Sequence, residues 1–194
     1  MTTVTTKYNA AKNRLEINGA RLAFADRIFE PKAFQGTGKP TYGGTLLVPN
    51  GSPAIEVIET EELRIAKEKW GAKAEGILAE VRANNRQALK PGELKASYAG
   101  FPGQKFISCT NDCRPTVVDV NGAPLTAADG RIYAGCYVLA HVTFWAQDNN
   151  YGRQINANLT GLQFLRDGDA FAGGPSPSST DDFADLSAGE GLMS

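Results

Sequence analysis

The sequence predicts a mainly β chain: a small barrel interrupted by one helical insertion and followed by an acidic tail. Three observations carry that reading. Apolar residues alternate with period two on both sides of a single block of helical periodicity, residues 53–89. A one-residue change of phase late in the chain marks a β-bulge. The last twenty residues have a composition that cannot bury enough apolar surface to fold.

Residues 1–12 are polar and are expected to be a flexible N-terminus. Leu15 and Ile17 alternate with polar neighbours, Asn18-Gly19 is a candidate turn, and Arg21 to Phe24 is a short strand. Lys32 to Lys39, with Gly36 and Gly38, reads as a flexible basic loop. Thr41 to Val48 is a second strand, closed by Pro49-Asn50-Gly51. Ser52-Pro53 supplies an N-cap and a proline at the first helical position. Ile55, Ile58, Leu63, Ala66 and Trp70 then recur at helical spacing, and Gly71 suits the stop. A second helix over Ala72 to Leu89 uses Ile77, Leu78, Val81 and Ala88 and ends before Pro91-Gly92.

Everything beyond reads as β. Lys105 to Cys109, Arg114 to Val120, Arg131 to Trp145 and Arg153 to Arg166 are strands, the last two forming a hairpin across Asp148 to Gly152. In the last strand the apolar positions run Ile155, Ala157, Leu159 and then Leu162, Phe164, so the phase shifts at Gly161. Bulges of this kind bend strands into small barrels. Five or six strands with one helical insertion fit an OB-fold-like barrel. It would occupy residues 13–171, with 172–194 as a Gly/Pro/Ser linker and a disordered acidic tail.

At 194 residues and 42% hydrophobic content, one domain with a real core is expected. No run of 18 apolar residues offers a membrane span. Met1 to Lys7 lacks the apolar centre of a secretory signal, so a cytoplasmic location is expected. Three cysteines, Cys109, Cys113 and Cys136, are too few and odd in number for a disulfide framework.

The net charge of −1 hides a division. Pro175 to Ser194 holds Asp181, Asp182, Asp185 and Glu190 and no Lys or Arg, leaving 20 basic and 17 acidic groups in the body, roughly +3. An acidic tail tethered to a basic body can compete for its anion-binding surface or recruit a partner. Asp181, Asp182, Phe183 and Asp185 are the candidate regulatory or partner-binding residues.

Along Arg131 to Trp145 the even positions are all apolar and form a core face. The odd positions, which succeed one another about 7 Å apart along a strand, include Tyr133, Tyr137, His141 and Trp145, rings with polar handles. Such platforms stack unpaired bases. Trp145 and the turn residue Tyr151 read as exposed stacking rings, whereas Tyr133 and Tyr137 either face a ligand or form a second core layer under the helical insertion. Cations interleave with rings at Arg82, Arg86, Lys90, Lys95, Tyr98, Phe101, Lys105 and Arg114, a mixture suited to tracking phosphates while stacking bases.

Catalytic chemistry is hard to find. Cys109, Cys113, Cys136 and His141 suggest zinc, but Cys136 and His141 are five apart on one strand and point to opposite faces. The single His has no nucleophile motif around it. Gly36-Thr37-Gly38-Lys39 lacks the spacing of a phosphate-binding loop. Asp167-Gly168-Asp169 reads first as a turn. No cofactor, metal or catalytic residue is assigned.

Short motifs in order resemble a family of phage-encoded single-stranded-DNA-binding proteins. They are Phe29-Glu30-Pro31, Tyr42-x3-Leu46-Leu47, Trp70-Gly71, Tyr98-x-Gly100-Phe101 and Arg114-Pro115-x-Val117-Val118-Asp119. Ile132-Tyr133-x-Gly135-Cys136, Leu159-x-Gly161-x-Gln163-Phe164 and Asp167-Gly168-Asp169-x-Phe171-x-Gly173-Gly174 complete the series. The resemblance spans roughly Arg21 to Gly174. It implies an OB fold that covers single strands during phage replication or recombination in the infected host cell, with a tail that restrains DNA binding and contacts replication or recombination proteins. Related tails often finish on an aromatic residue, whereas here Phe183 is internal and Gly191-Leu192-Met193-Ser194 follows.

On this reading Tyr98, Phe101, Trp145 and Tyr151, with Tyr133 and Tyr137, stack bases. Lys39, Arg86, Lys90, Lys95, Lys105, Arg114 and Arg153 meet phosphates. Weaker binding of double-stranded DNA and a homodimer stay open. The rival readings are a Mg-dependent nuclease or DNA-processing enzyme using Asp167 and Asp169, and a phage structural or assembly barrel.

Overall fold

The computed structural model describes residues 3–171. Along the chain run β1 (Thr5–Asn9), β2 (Arg14–Phe34), β3 (Thr37–Pro49), α1 (Ala54–Trp70) and α2 (Ala74–Ala83). They are followed by β4 (Leu89–Pro91), β5 (Gln104–Asn111), β6 (Thr116–Val118), β7 (Tyr137–Asn149) and β8 (Gly152–Arg166).

The predicted barrel is present, and its pairing closes on itself. β2 pairs with β3, β3 with β5, β5 with β8 in parallel, β8 with β7, and β7 returns to β2. Closure of this kind removes the free edges that would otherwise invite strand addition. β1, β4 and β6 add short pairings to β2, β5 and β8. The bulge expected at Gly161 is there: His141 pairs with Gly161 but Val142 with Leu159, leaving Thr160 as the extra residue.

Strand alternation sorts the side chains. Leu15, Ile17, Leu22, Leu46, Val48, Ile107, Val138, Ala140 and Val142 are buried within the barrel, where α1 and α2 contribute Ile58, Ile65, Leu78 and Val81. Residues one position along, Ala23, Leu47 and Phe106, lie on the outer face and are roofed by Phe101 into a second, smaller cluster. That outer cluster is the floor of the site described below.

Several local expectations change. Residues 5–9 form a strand because their backbone pairs with Arg14 to Asn18, so the first 12 residues are more ordered than their polarity suggests. Asn18-Gly19 is not a turn: β2 runs through it with a register shift before Ala20, and Gly19 has φ +86°. Lys32 to Lys39 is the tip of the β2–β3 hairpin, with Phe34 paired to Thr37, rather than a loose loop. The second helix stops at Ala83, because Asn85 takes φ +54° and the Arg86 N–H turns back to the Val81 carbonyl at 2.9 Å. Leu89–Pro91 becomes a strand instead. The long strand begins at Tyr137, not Arg131, since Gly135 has φ +116° and breaks the extension. Arg114 to Val120 shortens to Thr116–Val118.

The helical insertion is fastened from inside. Ser52 caps α1 as expected, its Oγ accepting the Ala54 N–H at 3.2 Å. Glu62 of α1 is fully buried; it accepts the Leu89 N–H at 2.8 Å and pairs with Arg82 at 3.0 Å. Trp70 Nε1 donates to Asp148 at 2.9 Å, tying the end of α1 to the β7–β8 turn.

Candidate nucleic-acid interface

β2 loses its regular pairing with β3 between Ala23 and Arg27, and Phe24 there adopts φ +49°. A non-glycine residue held in this region is uncommon and costs of order 1 kcal/mol or more. What it achieves is to put the Phe24 ring beside Tyr98, with centroids 5.1 Å apart and planes at 84°. Phe101 lies beneath, 5.6 Å from Phe24 and 5.4 Å from Phe106.

Phe24, Tyr98 and Phe101, with Tyr133, Ile132 and Phe171, line an open cleft of about 590 Å³. That volume suits one or two flat groups of nucleobase size, and the lining is largely apolar. Tyr98 remains 51% exposed, so its ring is available to a ligand. Lys95 Nζ lies 5.3 Å from the Phe24 ring and 5.6 Å from Tyr98, a cation held among aromatic faces at the cleft. Tyr133 is half-buried and fixed: its hydroxyl bonds Asp167 at 2.9 Å and accepts the Gly168 N–H at 3.0 Å. Asp26 also lines the cleft and pairs with Lys32 at 3.2 Å.

A second aromatic group borders the first. Arg21 stands 4.2 Å from the Phe171 ring centroid and 5.5 Å from that of Tyr137, and Arg166 covers Tyr137 at 3.5 Å. Cation and ring therefore alternate along Arg166, Tyr137, Arg21 and Phe171. Residues Asp167 to Phe171 fold across this wall, where Arg21 donates to the carbonyls of Gly135, at 3.2 Å, and Asp169, at 2.5 Å.

Structure brings together only part of the expected set. Tyr98, Tyr133 and Lys95 meet at the cleft, with Tyr137 next to it. Phe101 is a correction: at 1% exposure it is packed under Phe24 and Tyr98, so it supports the stacking surface and presents no face of its own. Trp145 and Tyr151 are exposed, at 43% and 83%, but sit toward the far end of β7, about 27 Å along the strand from Tyr137 for Trp145. Trp145 borders Lys69 and Asn13 and donates to Asn158 at 3.3 Å.

The remaining cations have varied fates. Lys39 pairs with Asp112 at 2.8 Å and Lys105 with Glu59 at 3.2 Å. Arg153 lies near Asp148 and Glu80, while Arg86 donates to the Tyr151 carbonyl at 2.7 Å. Arg114 stacks over Phe29 at 5.4 Å. Lys90 is half-buried, and the loss of solvent lowers its pKa, which disfavours its charged form. Asp181, Asp182, Phe183 and Asp185 lie outside the described residues.

Cys109 and Cys136 are buried apart from the exposed Cys113, and burial pushes the Cys109 thiol up to about 12. Among the described residues no group of three or more His, Cys, Asp or Glu side chains is placed to hold a metal. Phe24, Arg21 and Phe171 escaped sequence reasoning. Phe24 is disguised as an ordinary strand residue, and Arg21 and Phe171 meet only through the fold, across 150 residues of chain.

Comparisons with known proteins identify the family and the fold. A curated relative, putative protein p50 of Acyrthosiphon pisum secondary endosymbiont phage 1, is 43% identical over 180 residues, covering 91% of this chain and 96% of that protein. The single-stranded DNA-binding protein from bacteriophage Enc34, solved in complex with ssDNA, superposes with a TM-score of 0.69 at 25% identity, covering 83% of this chain and 90% of that one. The fold is also shared with gp2.5, a single-stranded DNA-binding protein encoded by bacteriophage T7, at a TM-score of 0.52 and 17% identity over 91% and 94% of the two chains. Residues 13–193 match the family model described as Enterobacter phage Enc34, ssDNA-binding protein. The chain therefore belongs to the Enc34 phage family of ssDNA-binding proteins.

Proposed function

We infer that this protein binds single-stranded DNA without sequence preference and coats it during phage replication or recombination, in the cytoplasm of the infected host. The observation that carries the site is the cleft lined by Phe24, Tyr98 and Tyr133 with Lys95 at the rings. Every base has a π-face, so stacking on such rings is sequence-tolerant, while the cation answers the phosphate charge. A cleft of this volume admits a splayed base more readily than a stacked pair, so duplex DNA should bind more weakly. No reaction is assigned to the site.

The acidic tail is read as a modulator of DNA binding and a recruiter of replication or recombination proteins. Its negative charge and the roughly +3 body support that reading.

The test is fluorescence anisotropy of a labelled dT oligonucleotide at low and moderate salt, with the wild type and Tyr98→Ala. Salt-sensitive binding, an intact oligonucleotide and a weakened variant are expected. No binding at low salt would overturn the function; binding unchanged by Tyr98→Ala would move the site elsewhere.

A further inference from the structure

The wall formed by Arg21 and Phe171 has a cavity on each side. The first is the aromatic cleft. The second, about 510 Å³, opens between β2, the end of β3 and the start of α1, and is lined by Arg21, Tyr137, Leu47, Asn50, Ser52 and Gln104 among others. We propose that this second cleft is a nucleotide subsite, taking the DNA residue adjacent to the one held in the first. The inference rests on the reading of the first cleft as a base-binding site.

Three features point to this occupant. The second cleft adjoins the first: Arg21 and Ala23 are outward neighbours on β2, one lining each cavity, and the Arg21 guanidinium rests against the Phe171 ring of the first. Its chemistry is that of a nucleotide site, with one guanidinium for a phosphate (Arg21), an aromatic ring at its border (Tyr137), and amide and hydroxyl groups (Asn50, Gln104, Ser52) to meet sugar or base edges. Among the described residues that line it, Arg21 carries the only charge, so no carboxylate repels the backbone. Arg21 spends Nε and one terminal nitrogen on the Gly135 and Asp169 carbonyls, and a guanidinium has five N–H donors, so capacity for a phosphate oxygen remains.

The experiment uses the full chain and compares a dT oligonucleotide of about four nucleotides with one of about twelve, within the span an OB fold covers. Asn50→Glu places a negative charge at an exposed turn position of the second cleft, and Ala72→Glu places the same charge on the exposed end of the helical insertion as a control. Asn50→Glu should weaken binding of the longer oligonucleotide several-fold more than Ala72→Glu does, with a smaller effect on the short one. Equal effects of the two variants at both lengths would overturn the second subsite. Tyr98→Ala separates the two readings. If it is silent, the first cleft is not the site. If it weakens binding while Asn50→Glu matches its control, only the second subsite fails. Photocrosslinking with 5-iodouracil-substituted oligonucleotides gives an independent readout on the unmutated protein: a crosslink at Tyr137 supports the subsite, and crosslinks that avoid it overturn it.

Discussion

The Arg21 guanidinium lies 4.2 Å from the centre of the Phe171 ring, joining β2 to the end of the described chain. The arrangement depends on an absent side chain. A Cβ at Gly100 would sit 2.4 Å from Phe171 Cε1, and Gly100 itself has φ +87°. Gly100→Ala should therefore displace the ring and strain the backbone, costing about 1–3 kcal/mol. Urea unfolding measures this directly; an unchanged midpoint would show that Phe171 is not seated against Gly100.

Tyr98 and Phe101 are three residues apart and should respond in opposite ways. Tyr98→Ala removes an exposed ring and should cost about 1–3 kcal/mol of DNA affinity with little change in stability. Phe101→Ala empties a position that is 1% exposed and should cost about 3–5 kcal/mol of stability. Anisotropy titration and thermal unfolding of both variants give a two-by-two comparison, and a destabilised Tyr98→Ala would argue that its ring is structural.

This contrast shows where sequence reading succeeds and where it stops. The barrel was legible because period-two alternation and the phase shift at Gly161 are local properties, and both survive into the pairing of β7 with β8. Tyr98 and Lys95 were legible as a ring and a cation close together in sequence. Phe101 was misread because its burial is decided by Ala23, Leu47 and Phe106, which come from three other segments. Tyr133 was assigned to a strand face that does not extend that far, because Gly135 turns the backbone. The site's remaining members, Phe24, Arg21 and Phe171, are defined by contacts that no local pattern encodes.

Glu62 is buried with one partner from the backbone and one from a side chain, the Leu89 N–H and Arg82. Desolvation is the largest influence on it and raises its pKa. Removing the carboxylate would leave the Leu89 N–H unsatisfied, so Glu62→Ala should destabilise by about 1–3 kcal/mol. Glu62→Gln keeps an acceptor for that N–H and should cost less. Chemical denaturation ranks the two, and equal losses would show that the charge rather than the hydrogen bond matters.

Glu16 behaves in the opposite sense. The Asn9 side chain donates to it, Lys7 and Arg14 pair with it, and its pKa falls from the ordinary 4.5 to about 2. A lowered folded-state pKa stabilises above the unfolded value and loses that contribution as pH falls through the folded one. Wild type should therefore be more stable than Glu16→Gln at pH 7, with the gap closing between about 4.5 and 2. Melting temperatures of both proteins across that range decide it; a gap independent of pH would mean the charge is not responsible.

The last described residue, Phe171, is a wall of the aromatic cleft. On the proposed reading of the tail, its four carboxylates would compete for the cations that phosphates meet. Truncation after Gly174 should therefore tighten DNA binding at low salt. It should also steepen the fall of affinity with salt, because each additional phosphate contact adds about 0.7 to the log–log slope for a single strand. Added salt weakens the tail's contacts as well, so the two proteins should converge as ionic strength rises. Identical affinities at low salt would sink the competition and leave the tail as a recruiter of other proteins.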